Sequence, residues 1–448
     1  MATVPKQRFR LPEGVQWTIT TLEKAGYDAY AVGGGVRDML LGRNPKDWDI
    51  TTNAKPADIK RVFPKSVYDN RFGTVAVRRG DHIFEVTTYR AEFGYSDARH
   101  PDSVSFVDRL EDDLARRDFT VNAMALRKDE IVDPFDGQAD LKEKSIRAVG
   151  APRERFAEDA LRMLRAIRLA VELGFQIDPA TQAAVREHAA SIKKVSGERA
   201  RDELMRILAS PEPYRGLVLM FDTGLLEELI PELLEGRDMY QPRHHKSPVL
   251  EHNLLSLKHV PSEDPLLRLA ALLHDVGKPR SARGPDAERT FHGHEVIGAR
   301  MVQKIMQRLR FSKADITRVV NLVRHHMFLF QFESTDKAVR RIIRRVGPEH
   351  VSDLVTLRVG DRLGSGTKVG YTKKLQRFQE RVEEVQRDPI DTRMLAVNGN
   401  DLMKSLKLTP GPKIGELMNQ LLEEVLDDPS RNTKAYLLRR AAEYARNA

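Results

Sequence analysis

The hydrophobic pattern changes character once, near Pro152, and that change limits the possible folds more than any single motif. Before it, "VQWTITTLEKAG" reads as a helix, while "DAYAVGG", "DWDITT", "GTVAVRRG" and "HIFEVTTYR" read as short strands, alternating or rich in β-branched and aromatic residues. Between them "AEFGYSDARHPDSVSF" carries turn residues throughout and predicts a mobile loop. After Pro152 the strand signals nearly vanish, and helical stretches such as "AEDALRMLRAIRLAVELGF" and "ERARDELMRILAS" run to the C-terminus between Pro- and Gly-containing breaks. The expected class is therefore α+β, a small mixed sheet with helices followed by an all-helical remainder. At 448 residues the chain exceeds one ordinary core, so two or more domains are expected.

Composition removes several chemistries. With no cysteine there is no disulfide, thiolate zinc site or thiol nucleophile, and any metal must sit on oxygen or imidazole. The formal charge of +9, from 74 Lys+Arg against 65 Asp+Glu, favours a polyanionic partner. The opening residues contain no apolar leader core, and no run approaches the roughly 20 apolar residues of a membrane span. A soluble cytoplasmic protein with no membrane partner, and no evident obligate protein partner, is expected.

The densest local signal is "GGGVRDMLLGRNPKDWDIT", residues 33–51. Gly33 and Gly35 miss the last glycine of a dinucleotide fingerprint, and no GK[ST] follows as a P-loop requires. What remains is a glycine turn at Gly33 and Gly34 whose amides can cradle a triphosphate, Arg37 to pair with it, and Asp47 and Asp49 to hold a divalent metal through hard oxygen ligands, magnesium being the natural ion. A solvated acidic strand after a surface turn is the bland alternative.

Two further signals follow. In "EDDLARRDFTVNAMA" the polar residues Arg116, Arg117, Asp118 and Asn122 precede the strand-turn "EIVDPFDG". In "RFAEDALRMLRAIRLAVELGF" Asp159, Arg162, Arg165 and Arg168 recur at three-residue steps on what reads as one helix. Asp159 beside Arg162 offers an acceptor next to donors, suited to a base edge; an ordinary surface salt bridge is the alternative.

In this order, VGGGVRD, DWD, RRDFTVNAMA, DPFDG, EDALRMLR and SGERARDEL, the chain resembles the bacterial class II tRNA nucleotidyltransferases, the CCA-adding enzymes and poly(A) polymerases. The resemblance spans residues 15 to 235, with a weaker echo in "VNGNDLMKSLKLTPGPKIG". It implies a polymerase-β-like head (11–150), a helical neck (151–235), a body (245–365) and an RNA-binding tail (366–448). It also implies roles: Asp47 and Asp49 as metal ligands with Glu85 beside them, and Gly34 and Arg37 at the triphosphate. Arg117 and Asn122 would face sugar and phosphates. Asp159 and Arg162 would read cytosine or adenine, Arg165 and Arg168 would contact nucleotide, and Glu198 with Arg199 would support the neck.

The body carries a different series: His252, His274 with Asp275, His294, His325 with His326, and Asp361. Spread over several helices, such groups can converge on a divalent transition metal, and structural histidines are the bland alternative. The series resembles the HD phosphohydrolase superfamily, which implies His252, His274, Asp275, His294, His325 and Asp361 as ligands, His326 as a substitute and His292 behind them. The basic stretches "KAVRRIIRRVG" and "YTKKLQRFQERVEEVQR" suit an RNA backbone or simply a solvated helix face.

The expected activity is untemplated addition or repair of the tRNA 3′ CCA end from CTP and ATP with magnesium in the head. A poly(A) or A-only enzyme is the alternative, and a phosphohydrolase acting on nucleotides or 2′,3′-cyclic phosphates a further one.

Overall fold

The computed structural model describes residues 10–68, 73–93, 103–242, 247–328, 330–385 and 388–447. They divide into two compact units, Met1–Pro231 and Glu232–Ala448.

The first unit opens with the helix Glu13–Lys24, whose Val15, Ile19 and Leu22 recur at three- and four-residue steps and are buried. Among the described residues up to Val132 nine strands follow: β1 (Ala29–Val32), β2 (Asp49–Thr52), β3 (Val67–Tyr68), β4 (Thr74–Arg79), β5 (His82–Thr88), β6 (Arg90–Phe93), β7 (Ser103–Phe106), β8 (Ala125–Arg127) and β9 (Glu130–Val132). Seven form one sheet in the order β3-β4-β5-β2-β1-β8-β9. β1 pairs antiparallel with β2, and β2 pairs parallel with β5, so the sheet is mixed at its centre. Ala29, Ala31, Ile50 and Val86 on these strands are buried, as alternation requires of a covered sheet.

The turn-rich stretch after Tyr89 departs from the expected loop. Its ends, β6 and β7, pair antiparallel from Arg90↔Phe106 to Phe93↔Ser103 as a separate ribbon. Two four-residue strands are too short for a visible period, and the pairing itself satisfies their backbone groups. The centre of that stretch, residues 94–102, lies outside the described residues.

Beyond Gly150 the described residues of the unit are helical except for Gln176–Ile177, which pairs parallel with Ser145–Ile146. The helix Leu161–Leu173 is buried on nearly every face, including Leu164, Ile167 and Val171, because neighbouring helices enclose it.

Among its described residues the second unit is built of helices. Its helices Val249–His259, Pro265–Leu273, His294–Arg308, Lys313–His325 and Val351–Gly364 carry the histidine series on or beside their ends. Among the described residues no helix is long and apolar enough to cross a membrane.

Candidate functional site

Gly33 links β1 to the helix Gly34–Leu40 with φ of +77°, a conformation that L side chains rarely adopt. A Cβ there would lie 3.0 Å from Arg117 Nη1 and 3.3 Å from Asp49 Oδ2, so a side chain would enter the space between them. Asp49 opens β2, opposite Val32 on one side and Glu85 on the other. In-register residues of a parallel pair leave the same face of the sheet, which brings the Asp49 and Glu85 carboxylates to one side. Asp47 sits in the segment leading into β2, exposed like Asp49. The surrounding protein desolvates the Asp49 carboxyl and raises it above its ordinary range; Arg117 opposes the shift and the like charge of Asp47 adds to it. Neighbouring carboxylates that repel and are partly stripped of water suit a divalent cation.

The flanking cations are anchored by Asp113, which is fully buried. It pairs with Arg116 at 2.8 Å and Arg117 at 3.6 Å and accepts from Thr51 Oγ1 of β2 at 3.1 Å. Burial works against its charge, but the two arginines hold the carboxyl below the usual range. The sequence reading did not single out Asp113, although its place three and four residues before Arg116 and Arg117 on the helix Leu110–Ala115 is a legible signal. Arg117 Nε is buried with no hydrogen-bond partner among the described residues, a donor that a ligand can satisfy.

A continuous network joins the glycine turn to the next helix. Arg37 Nη1 donates to Asn122 Oδ1 at 2.6 Å, Asn122 Nδ2 donates to Asp118 Oδ1 at 3.1 Å, and Arg165 Nε donates to Asp118 Oδ2 at 2.8 Å. Burial disfavours the Asp118 charge, yet Arg165 and the Asn122 hydrogen bond hold its carboxyl down to about 2.

Asp159 and Arg162 are not an i,i+3 pair on one helix. Asp159 stands in the break between the helices Pro152–Glu158 and Leu161–Leu173, in extended backbone. Its Oδ1 accepts from Leu161 N at 3.0 Å, and its Oδ2 accepts from Arg199 Nη2 at 2.7 Å. Asp and its neighbours readily trade helix continuity for such a local cap, and period alone does not show the break. Arg162 is buried, donating to Glu158 at 2.6 Å and to the carbonyls of Arg155 and Arg116, each at 3.2 Å. Arg168 is 5% exposed and bound to Glu203 at 2.6 Å and Glu172 at 3.1 Å, so its observed work is to tie helices together. Glu198 is exposed in the first turn of the helix Gly197–Ala209, which also carries Arg199.

In the second unit the histidines and aspartates converge. Asp275 Oδ2 lies 3.3 Å from both His252 Nε2 and His274 Nε2, and its Oδ1 lies 3.3 Å from His294 Nε2 and 3.5 Å from His326 Nε2. Asp361 Oδ1 is 3.3 Å from His252 Nε2. Two metal-sized groups result, His252–His274–Asp275 and Asp275–His294–His326, sharing one carboxylate. The Nδ1 atoms of His274, His294 and His326 each lie 2.7–2.8 Å from a backbone carbonyl. Nδ1–H must donate there, so in the neutral rings the Nε2 lone pairs face inward. His252 Nε2 lies 3.1 Å from His274 Nε2, and His294 and His326 then oppose lone pairs at 3.3 Å, an arrangement that a divalent cation relieves. Without one, burial resists protonation of His274, but Asp275 and Asp361 push it up to about 10.

His326, not His325, completes the cluster. Successive helical residues point about 100° apart, so only one of the two can face inward. His325 ends the helix Lys313–His325 and lies near Arg324 and Arg345, which with burial lower its imidazole. His292 lines the cavity beside the cluster. Gly277 permits the convergence: a Cβ there would meet His294 O at 2.2 Å and Gly298 N at 2.4 Å.

Residues 29–147 match the model of the poly A polymerase head domain, residues 174–236 that of the probable RNA and SrmB-binding site of polymerase A, and residues 296–441 that of a tRNA nucleotidyltransferase domain 2. The chain is 38% identical to the A-adding tRNA nucleotidyltransferase of Deinococcus radiodurans over 88% of its length and 91% of the relative's. It is 34% identical to the CCA-adding enzyme of Levilactobacillus brevis over 96% and 98%. The Bacillus stearothermophilus CCA-adding enzyme in complex with CTP superposes with a TM-score of 0.71 at 28% identity, covering 97% of this chain and 98% of the other. The Thermotoga maritima CCA-adding enzyme complexed with tRNA shares the fold, with a TM-score of 0.55 at 21% identity over 97% of each chain.

Proposed function

The chain belongs to the tRNA nucleotidyltransferase family of CCA-adding enzymes and their A-adding and poly(A) relatives, and from that premise we propose that it adds or repairs the 3′ CCA end of tRNA in the cytoplasm. The observation that carries the reading is Asp49 in register with Glu85 on parallel strands, with Asp47 just ahead and Gly33 and Arg117 beside them. Asp47 and Asp49 would hold magnesium, with Glu85 on the same face. Held by these carboxylates, divalent ions would supply Lewis-acid stabilisation of the attacking RNA 3′ hydroxyl and of charge on the α-phosphate and departing pyrophosphate.

The chain's own residues do the rest. The first-turn amides after Gly33 have no intrahelical acceptors and face a triphosphate with Arg37, while Arg117 supplies a further donor. Asp159 accepts from the exocyclic amino group of cytosine or adenine, and an arginine beside it donates to the ring nitrogen. No side chain serves as nucleophile. Incubating the purified protein with tRNA lacking its CCA end and each NTP in turn, with magnesium, tests the reading; failure to add both C and A overturns it. Addition of A alone is the second reading, favoured by the 38% identity to an A-adding enzyme.

The body is proposed as a second, separate metal centre with phosphohydrolase chemistry on nucleotides or 2′,3′-cyclic phosphates. Its support is the shared Asp275 between two inward-facing histidine pairs. Imidazole and carboxylate ligands suit a transition metal. Basic helices such as Asp336–Val346 are proposed to face the tRNA backbone.

A further inference from the structure

The cluster accounts for the body's histidines and leaves two buried donors beside it unexplained. Gln241 is 7% exposed; its Oε1 accepts from Lys278 Nζ at 2.6 Å, which orients the amide and leaves Nε2 buried with no partner among the described residues. Arg362, next to Asp361, has its Nε buried in the same condition. Both residues line a cavity of 980 Å³ that also takes in Asp275, His294 and Asp361. A buried donor without an acceptor is costly, so two at one cavity point to an acceptor-rich ligand. Lys278 and Arg358 line the same cavity, paired there with Asp275 and, at 2.7 Å, with Asp361; Gln241 and Arg362 add donors without acceptors, and an anionic phosphoryl group is the matching chemistry.

A second cavity, of 440 Å³, shares Glu295 and Met327 with the first. Its wall carries Arg324, Arg341 and Arg345. Arg341 pairs with Glu423, and Arg324 lies 3.4 Å from Glu295, whereas Arg345 has no acidic partner among the described residues. Two adjoining cavities with cationic walls suit one ligand bearing phosphates on successive residues.

We propose that Gln241 and Arg362 grip the phosphoryl group of a nucleotide phosphate ester beside the histidine cluster, and that Arg345 receives the next phosphate of the same ligand. The preferred ligand is then an oligonucleotide end and not a mononucleotide. This rests on the reading of the cluster as a phosphohydrolase centre and names its substrate class.

Hydrogen–deuterium exchange on the full chain in EDTA tests it. The protein is titrated with inorganic phosphate, AMP and the 5′-phosphorylated dinucleotide pApA. Only peptides covering residues 289–295 and 358–367 are read, so nucleotide held by the head does not enter. Half-protection is expected at about tenfold lower pApA than AMP. Gln241→Ala and Arg362→Ala each weaken protection by all three probes about tenfold or more, and Arg345→Ala removes most of the pApA advantage. Unchanged melting temperatures establish that the variants are folded, and Arg362→Lys replaces Arg362→Ala if it is not. Protection independent of Gln241 and Arg362, or no protection by any probe, overturns the grip; equal affinity for AMP and pApA overturns the second subsite. The underlying reading is tested apart, by Mn²⁺ titration calorimetry and hydrolysis of bis(p-nitrophenyl) phosphate. A silent result there, with protection intact, overturns the hydrolase reading and supports the phosphate grip alone.

Discussion

Asp159 Oδ2 lies 2.7 Å from Arg199 Nη2, on a different helix, while Arg162, three residues from Asp159 in sequence, is bound to Glu158. The carboxylate proposed to read the base is therefore aimed from the helix Gly197–Ala209, 40 residues downstream. Cytosine and adenine both place an amino donor beside a ring-nitrogen acceptor, and uracil and guanine reverse that order. Arg199→Ala should raise misincorporation of UTP and GTP relative to CTP and ATP by roughly tenfold, the scale of one mispaired buried group. Single-nucleotide incorporation with each NTP reads this directly. A uniform rate loss with unchanged ratios would mean that Arg199 only supports the fold.

Asp47→Ala and Asp49→Ala are expected to lower nucleotide addition by on the order of 10²–10³-fold or more, with no loss of melting temperature. Both residues are exposed and neither fills the core. Near-normal addition by either variant would contradict the assignment of these carboxylates to the metal.

Asp118 gives a dependence on pH. Folded, its carboxyl stays ionised down to about 2, against an ordinary 3.8 in the unfolded chain. The stabilisation is complete above about pH 5 and drains away as pH falls toward 2, amounting to roughly 2 kcal/mol. Asp118→Asn should be less stable at pH 7, with a shallower fall in stability between pH 5 and 3 in urea unfolding. Parallel curves for the two proteins would show that Asp118 is not the group responsible.

The two adjacent histidines should separate cleanly. His326→Ala is expected to weaken transition-metal binding by about tenfold or more, as loss of a ligand does, while His325→Ala leaves it near wild type. His274→Ala with Asp275→Ala should remove metal-dependent hydrolysis and leave CCA addition largely unchanged, because these residues belong to the other compact unit. Calorimetry with Mn²⁺ and the tRNA assay give the two readouts, and equal loss of both activities would mark the cluster as structural support.

Much of this was legible before any fold was known. The switch from alternating to helical periodicity near Pro152 is local, because it reflects which face of each element is buried, and it gave the α+β head and the helical remainder. The glycine turn, the two aspartates and the strand carrying Glu85 were legible for the same reason: turn, spacing and strand lie within a few residues. Pairings across distant segments were not. The break at Asp159, the hold of Arg199 on it, the burial of Asp113 under Arg116 and Arg117, and the choice of His326 over His325 each depend on a partner far along the chain or on helical phase at one residue. Hydrophobic period tells which face turns inward but not what it meets there. Hydrogen-bond satisfaction in the packed interior decides that, so it was the tertiary structure that selected the partners of the charged residues.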